Sequence, residues 1–338
     1  MVPRLLEPAS DTARPNPARP ARKADLHVHS SWSHDVPDLP RCRPRALFER
    51  AMAHPDASRR MDYFALTDHE TMGGYEELRR DLPEADRRLV IPGVEHALLD
   101  PAIGFSIHAN LFGLDPDQYA ELRARVRTLP ELAEFCRARG IRMQYNHPTW
   151  WERGELRAGR VALAKVAQAA EHFDLLELNA GLTELLNRAT ESLARAMGKH
   201  LACSSDTHTG EVGKAHTLAP GEDAAAFLAA VWSGRGVPVR DDIDGGALLG
   251  EVQGVIDHLF DHRRGVRLKA GATDSGSPRL ERLAHRVLGS DRIMGNPVTR
   301  EPLRALLKQA ARPVVWSVMA RERGLERRLL ASPLAGYL

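Results

Sequence analysis

Asp25-Leu-His-Val-His29 is the stretch on which the fold turns. In an extended chain, residues two apart share a face. His27 and His29 therefore project together, while Leu26 and Val28 project the other way. The same arrangement of an apolar run closed by an acid or imidazole recurs along the chain. It stands at Phe64-Ala-Leu-Thr-Asp-His69, Val90-Ile-Pro-Gly-Val-Glu95, Met143-Gln-Tyr-Asn-His147 and Leu201-Ala-Cys-Ser-Ser-Asp206, with His208 just beyond. His108 departs from the pattern, lying inside the run Ser106–Phe112 rather than after it. Imidazole nitrogen and carboxylate oxygen suit borderline divalent metals. Such groups at successive strand ends point to one metal site and to metal-assisted hydrolysis.

Working outward, strand-length runs are expected at Ala24–His29, Tyr63–Thr67, Leu89–Val94, Ser106–Phe112, Ile141–Tyr145, Leu175–Leu178 and Leu201–Ser204. Helical periodicity fills several intervals: Arg45–Ala53, Leu129–Arg139, Val161–Ala170 and Glu184–Met197. Gly140 and Gly198 are placed to cap the second and fourth of these. Alternating strands and helices predict a parallel sheet with crossover helices. Seven strands favour a closed or nearly closed barrel, with chemistry at the strand C-termini. The βα rhythm stops near Asp241. Beyond it helices are expected at Glu251–Phe260, Arg279–Leu288, Glu301–Gln309 and Pro313–Leu330.

Composition bounds the rest. The 338 residues carry 43% hydrophobic and 27% charged side chains and a formal net charge of +2, ordinary values for a globular protein. The charge is uneven: from Ala247 to Leu338 there are 16 Lys/Arg against 9 Asp/Glu, leaving the preceding portion acidic. An acidic barrel disfavours tracking a polyanion such as nucleic acid. Cys42, Cys136 and Cys203 are far apart and odd in number, so no disulfide framework is expected and a cytoplasmic location is the simplest. No stretch approaches a membrane span, and Met1–Arg22, rich in Pro, Ala and Arg, reads as a flexible leader.

Taken together, Asp25-Leu-His-Val-His-Ser30, Leu66-Thr-Asp-His69, Pro92-Gly-Val-Glu95, Asn146-His-Pro148 and Ser205-Asp-Thr-His208 resemble, in order, the motifs of the PHP (polymerase and histidinol phosphatase) family of metal-dependent phosphoesterases. The resemblance covers roughly residues 23 to 238. It implies an α/β fold, a distorted (β/α)7 TIM-like barrel over 23–243, followed by a helical C-terminal extension over 244–338. It also implies two or three divalent ions, Zn, Mn or Fe. Carried over by residue, His27, His29, Glu95 and Asp206 would hold one ion. Glu95 would bridge to a second, completed by His108 and His147, and His69 and His208 would hold a third with His34. The family usually has an Asp at that last place, and Asp35 is the alternative ligand. Catalytic roles are implied for Asp68, His208 and Glu95.

The implied activity is hydrolysis of a small phosphate ester, of the nucleotide or sugar phosphate class, by attack of a metal-bound hydroxide. Two alternatives stay open: a carboxylic or carbamate ester hydrolase on the same site, and an inactive metal-binding scaffold. Asp25 and Asp68, each beside a ligand histidine, are candidate partners that would fix imidazole tautomers. Trp150 and Trp151 could stack on a base or pack their loop. Arg142, Arg153, Arg188, Lys199 and Lys214 are candidate phosphate clamps. The C-terminal helices offer a surface for a homo-oligomer or an anionic partner.

Overall fold

The computed structural model describes residues 21–151, 163–240, 244–261 and 290–331. Most of the expected leader, the helix expected at Arg279–Leu288, and Arg153 lie outside them.

Nine strands form one sheet: β1 (Ala21–Asp25), β2 (Tyr63–Leu66), β3 (Val90–Leu99), β4 (Ser106–Phe112), β5 (Arg142–Tyr145), β6 (Leu175–Asn179), β7 (His200–Ser204), β8 (Ala215–Pro220) and β9 (Val237–Arg240). Their order is β7-β6-β5-β4-β3-β2-β1-β8-β9. The sheet curls until its ends approach. Thr217 on β8 spans the seam, its hydroxyl accepting from Cys203 N at 2.8 Å and donating to Cys203 O at 3.0 Å. Beyond β1, Val28 bridges to Thr207 after β7, and His29 N donates to Thr207 O. The result is a nearly closed, barrel-like sheet.

The barrel departs from the expected parallel order in one place that matters. β4 runs antiparallel to both β3 and β5. Along the β3–β4 ladder a single residue, His96, separates Glu95 from Ala97, the partner of His108. Because β4 is reversed, the start of that strand meets the end of its neighbours. His108 therefore lies inside its own run and still reaches the common strand end. A second departure is the β8–β9 pair, in which β8 runs antiparallel to both β1 and β9, and which the strand pattern did not reveal.

Helices Pro44–Met52, Gly73–Asp81, Pro116–Arg125, Leu129–Arg139, Leu163–Ala170 and Glu184–Met197 pack around the sheet. Thr128 and Glu131 form a reciprocal capping box at the start of Leu129–Arg139, and Gly140 ends it in the left-handed region at φ 68°. Gly198, at φ 63°, ends Glu184–Met197 in the same way. Both faces of the strands are apolar. Tyr63 and Ala65 join a cluster with Leu26, Ile91, Phe227 and Trp232, whereas Phe64 and Leu66 join one with Leu47, Phe48 and Leu78 from the helices. This two-sided burial is why the strands read as continuous apolar runs.

The C-terminal region contributes the helices Gly245–Asp261 and Pro297–Leu330. The second is continuous through Pro302 and Pro313, where two helices were expected. Arg304 and Lys308 pair with Asp257 across the two. Among the described residues, no helix is long and apolar enough to cross a membrane.

Candidate metal centre

Glu95, fully buried on β3, is the hub of the site. Its Oε2 lies 3.1 Å from His27 Nε2, 3.2 Å from His29 Nε2 and 3.0 Å from His69 Nδ1. Its Oε1 lies 3.1 Å from His108 Nδ1 and 3.5 Å from His147 Nε2, and accepts from Asn146 Nδ2 at 2.9 Å. One carboxylate thus faces two separate sets of imidazoles with its two oxygens.

Asp206 completes the first set. Its Oδ1 is 3.4 Å from His27 Nε2 and 3.2 Å from His29 Nε2, and those two ring nitrogens are 3.0 Å apart. Donor atoms bound at the usual distances to one ion stand about 2.9 Å apart at octahedral angles and about 3.4 Å apart at tetrahedral ones. The distances of His27 and His29 from each other and from Glu95 and Asp206 fall in that interval, so the donor set fits a common cation in both chemistry and spacing. Glu95, His108 and His147 offer a second set. An outermost set gathers at the mouth, where Asp35 Oδ2 lies 2.9 Å from His208 Nε2 and 3.3 Å from His69 Nε2. His34 is exposed, its ring 5.0 Å from that of His69, so it lines the mouth while Asp35 enters the cluster.

Electrostatics follow from this packing. Burial alone would raise the Glu95 carboxyl, but the charges of His69 and His27 and hydrogen bonds from His108 and His147 hold it well below the usual carboxylate range. Burial likewise opposes charge on His69, yet Glu95 and Asp35 push it up to about 11. His208 rises to about 9 against its burial, through its hydrogen bond to Asp35 and the charges of Asp35 and Asp206. A divalent cation would displace these ring protons on binding.

The imidazoles are held from behind. His27 Nδ1 lies 2.7 Å from Glu177 Oε1, a fully buried carboxylate on β6. Glu177 also accepts from Ser204 Oγ at 2.8 Å and from His147 N at 2.9 Å. With Nδ1–H donated to Glu177, the lone pair of His27 Nε2 faces the site. This residue is absent from the motif pattern. The signal for it was a carboxylate inside Leu175-Leu-Glu-Leu-Asn179, flanked by leucines, where an unpartnered charge would be costly. Asn179 is a second such residue, donating to Asp206 Oδ2 at 2.9 Å.

Asp68 stands behind the site. It accepts from Ser30 N, Ser30 Oγ and Ser33 Oγ at 2.6, 2.8 and 2.9 Å. Ser33 Oγ in turn is 2.9 Å from His29 Nδ1. Asp68 thus orients His29 through Ser33. Among the described residues, Asp25 makes no hydrogen bond or ion pair to an imidazole ring. Its carboxylate accepts from the backbone of His27, Ser205 and Gly213, clamping the loop after β7, and burial pushes its pKa up to about 6 against those hydrogen bonds. The helix Gly73–Asp81 presses on the Asp68 relay. A Cβ on Gly74 would lie 2.1 Å from Asp68 Oδ2 and 2.8 Å from Ser30 Oγ. Gly74→Ala is therefore expected to cost roughly 1–3 kcal/mol of stability, as overpacking does. It should also weaken metal uptake through His29, and denaturant unfolding with metal titration checks both.

Backbone strain concentrates here. Among the described residues, Glu70, His147 and Asp206, at φ 57°, 31° and 48°, are the non-glycine residues with positive φ, and all three line the site. Each such conformation costs roughly 1–3 kcal/mol and persists only where its surroundings over-determine it.

No protein-family profile and no curated protein matches the chain. Solved structures resemble it. One is PsfC from Pseudomonas syringae PB-5123, at 20% identity and TM-score 0.46, covering 65% of this chain and 92% of that one. Another is a two-domain protein from Bacteroides vulgatus containing a predicted PHP-like metal-dependent phosphoesterase, at 15% identity and TM-score 0.46, covering 75% of each. A third is the lesion-specific endonuclease PfuEndoQ from Pyrococcus furiosus, at 15% identity and TM-score 0.46, covering 68% of this chain and 60% of that one. At these scores the likenesses carry no weight for the chemistry, which rests on the donor geometry of the chain itself.

The centre opens into a pocket of about 400 Å³. Trp150, Asn179, Gly181 and Leu182 form part of its wall. Trp150 packs edge-on to His147, while Trp151 is buried against Phe105. His96 points away from the centre and pairs with Glu70 at 3.0 Å, and His216 is buried on β8. Of the described clamp candidates, none lines the pocket. Arg142 is exposed at the start of β5, Arg188 pairs with Glu184, Lys199 donates to Glu171 O, and Lys214 pairs with Glu251.

Proposed function

We propose that this chain is a PHP-type metal-dependent hydrolase whose substrate is a small phosphate ester. The observation that carries the reading is Glu95, buried and presenting each oxygen to a different set of imidazoles. This is the arrangement expected of a carboxylate that bridges two cations. His27, His29, Glu95 and Asp206 would hold the first, and Glu95, His108 and His147 the second. His69, His208 and Asp35 would hold an outer one, with Asp35 taking the place that spacing suggested for His34.

When bound, the cations would neutralise the phosphoryl oxygens and lower the pKa of a water at the centre. The chain itself does the positioning. Glu177 and Ser33 set the tautomers of His27 and His29, and Asn146 and Asn179 orient Glu95 and Asp206. His27, His29 and Glu95 are fully buried, so charges there interact strongly. Trp150 and Leu182 offer an apolar wall for the organic part of the ester.

The test is a screen of the Mn- or Zn-loaded protein against nucleotide, sugar and aryl phosphates beside an aryl carboxylic ester. Phosphate release that disappears on chelation is expected. His147→Ala should lower it at least about 100-fold, with the fold retained by circular dichroism. Cleavage of the carboxylic ester alone would move the activity to the second ester class. A chain that binds no metal would refute both.

A further inference from the structure

The outermost donors, Asp35 and His208, sit on segments with little regular structure. Residues 31–36 form turns and bends, and residues 205–214 form a loop with left-handed glycines at Gly210 and Gly213. Neither segment owes its position to a continuous backbone ladder. Arg41, just past the first segment, joins Glu211, and Arg50 of the helix Pro44–Met52 donates to Gly210 O, so the second segment is tied to the elements that follow the first. Both are also tied to the helix Gly245–Asp261.

One face of that helix makes the contacts. Glu251, Val255 and Leu259 follow at intervals of four and so share a side. Glu251 accepts from Lys214 Nζ at 2.6 Å and from Thr209 Oγ1 at 3.4 Å. Val255 and Leu259 pack against Val36, Leu39 and Cys42. Thr209 is the neighbour of His208, and Val36 is the neighbour of Asp35. The Lys214–Glu251 pair is mostly shielded, with side chains 15% and 19% exposed, and so is less screened than a surface pair.

We propose that the helix Gly245–Asp261 is a latch that positions the outer donor pair Asp35 and His208, with Glu251 as its positioning residue. This rests on the reading of the site as a metal centre. The latch gives the C-terminal region a role in completing the site. The inner donors on β1, β3, β4 and β5 and their immediate continuations have no contact with Glu251 among the described residues, and Asp206, which shares the loop of His208, is held from β6 by Asn179 Nδ2 at 2.9 Å. Loss of the latch should therefore act on one metal equivalent and spare the others.

The experiment uses the full chain, stripped with chelator and titrated with Mn²⁺ or Zn²⁺ by calorimetry, with metal content counted after desalting. In Glu251→Ala the weakest-bound equivalent should lose about 10–100-fold in affinity, the range for removing an outer positioning partner. The tighter equivalents should be unchanged. Glu251→Gln, which keeps the length of the side chain, should fall between and serves if the alanine variant does not fold. The charge swap Glu251→Lys with Lys214→Glu should recover most of the loss. Unchanged binding in the single variants, or an equal fall in every equivalent, overturns the latch. A wild-type chain that takes up no metal overturns the metal reading itself, which separates the two failures.

Discussion

Replacing Glu95 with Gln is expected to strip the centre of metal and lower turnover by more than about 100-fold, beyond what an outer-partner change produces. The substitution keeps shape and removes charge. Oε2 now faces His27, His29 and His69, and Oε1 faces His108 and His147. Whichever way a glutamine amide turned, its NH₂ would confront one of these sets, which must present lone pairs to bind a cation. The fold should survive, because the imidazoles can release protons once the carboxylate no longer holds them charged. Metal content and kcat of Glu95→Gln are the measurements. Retention of full metal stoichiometry with kcat within tenfold of wild type would remove Glu95 from the bridging position.

The second large effect is expected at Glu177. Glu177→Ala leaves His27 Nδ1, Ser204 Oγ and His147 N without their acceptor in a fully buried place. Breaking a buried pair by removing one partner costs about 3–5 kcal/mol. His27 would also lose the hydrogen bond that selects its tautomer, and metal affinity should drop about 10–100-fold. Denaturant unfolding of the metal-free protein isolates the first effect, and metal titration isolates the second. Glu177→Gln should recover much of the stability and less of the affinity, because an amide oxygen accepts but carries no charge. Loss of stability with unaltered metal affinity would reduce Glu177 to a packing role.

How far the site was legible depended on how local each signal was. His27, His29, His69, His147 and Asp206 each follow an apolar run, so the chain itself displays them as strand-end groups. The glycine caps Gly140 and Gly198 were equally local. His108 was not, because nothing in Ser106–Phe112 says that the strand is reversed, and its place follows from hydrogen-bonding register with β3 and β5. Asp35 and His34 are adjacent, and spacing favoured the imidazole. The turn at residues 30–36, held by Ser33 and Asp68, instead brings the carboxylate against His69 and His208. Asp25 looked like a tautomer partner because it neighbours a histidine in sequence. Through space, the partner of His27 is Glu177, 150 residues away.

The amino-acid sequence by itself determined the donor chemistry, the strand ends that carry it and the α/β alternation, because each depends on residues a few positions apart. The tertiary structure decided which donors share an oxygen of Glu95, which acids stand behind the imidazoles, and that the C-terminal helix Gly245–Asp261 reaches the loops of the site. Those relations join segments from Asp25 to Leu259. They exist only because the sheet closes on itself, and closure depends on register between strands far apart in the chain, which no local pattern encodes.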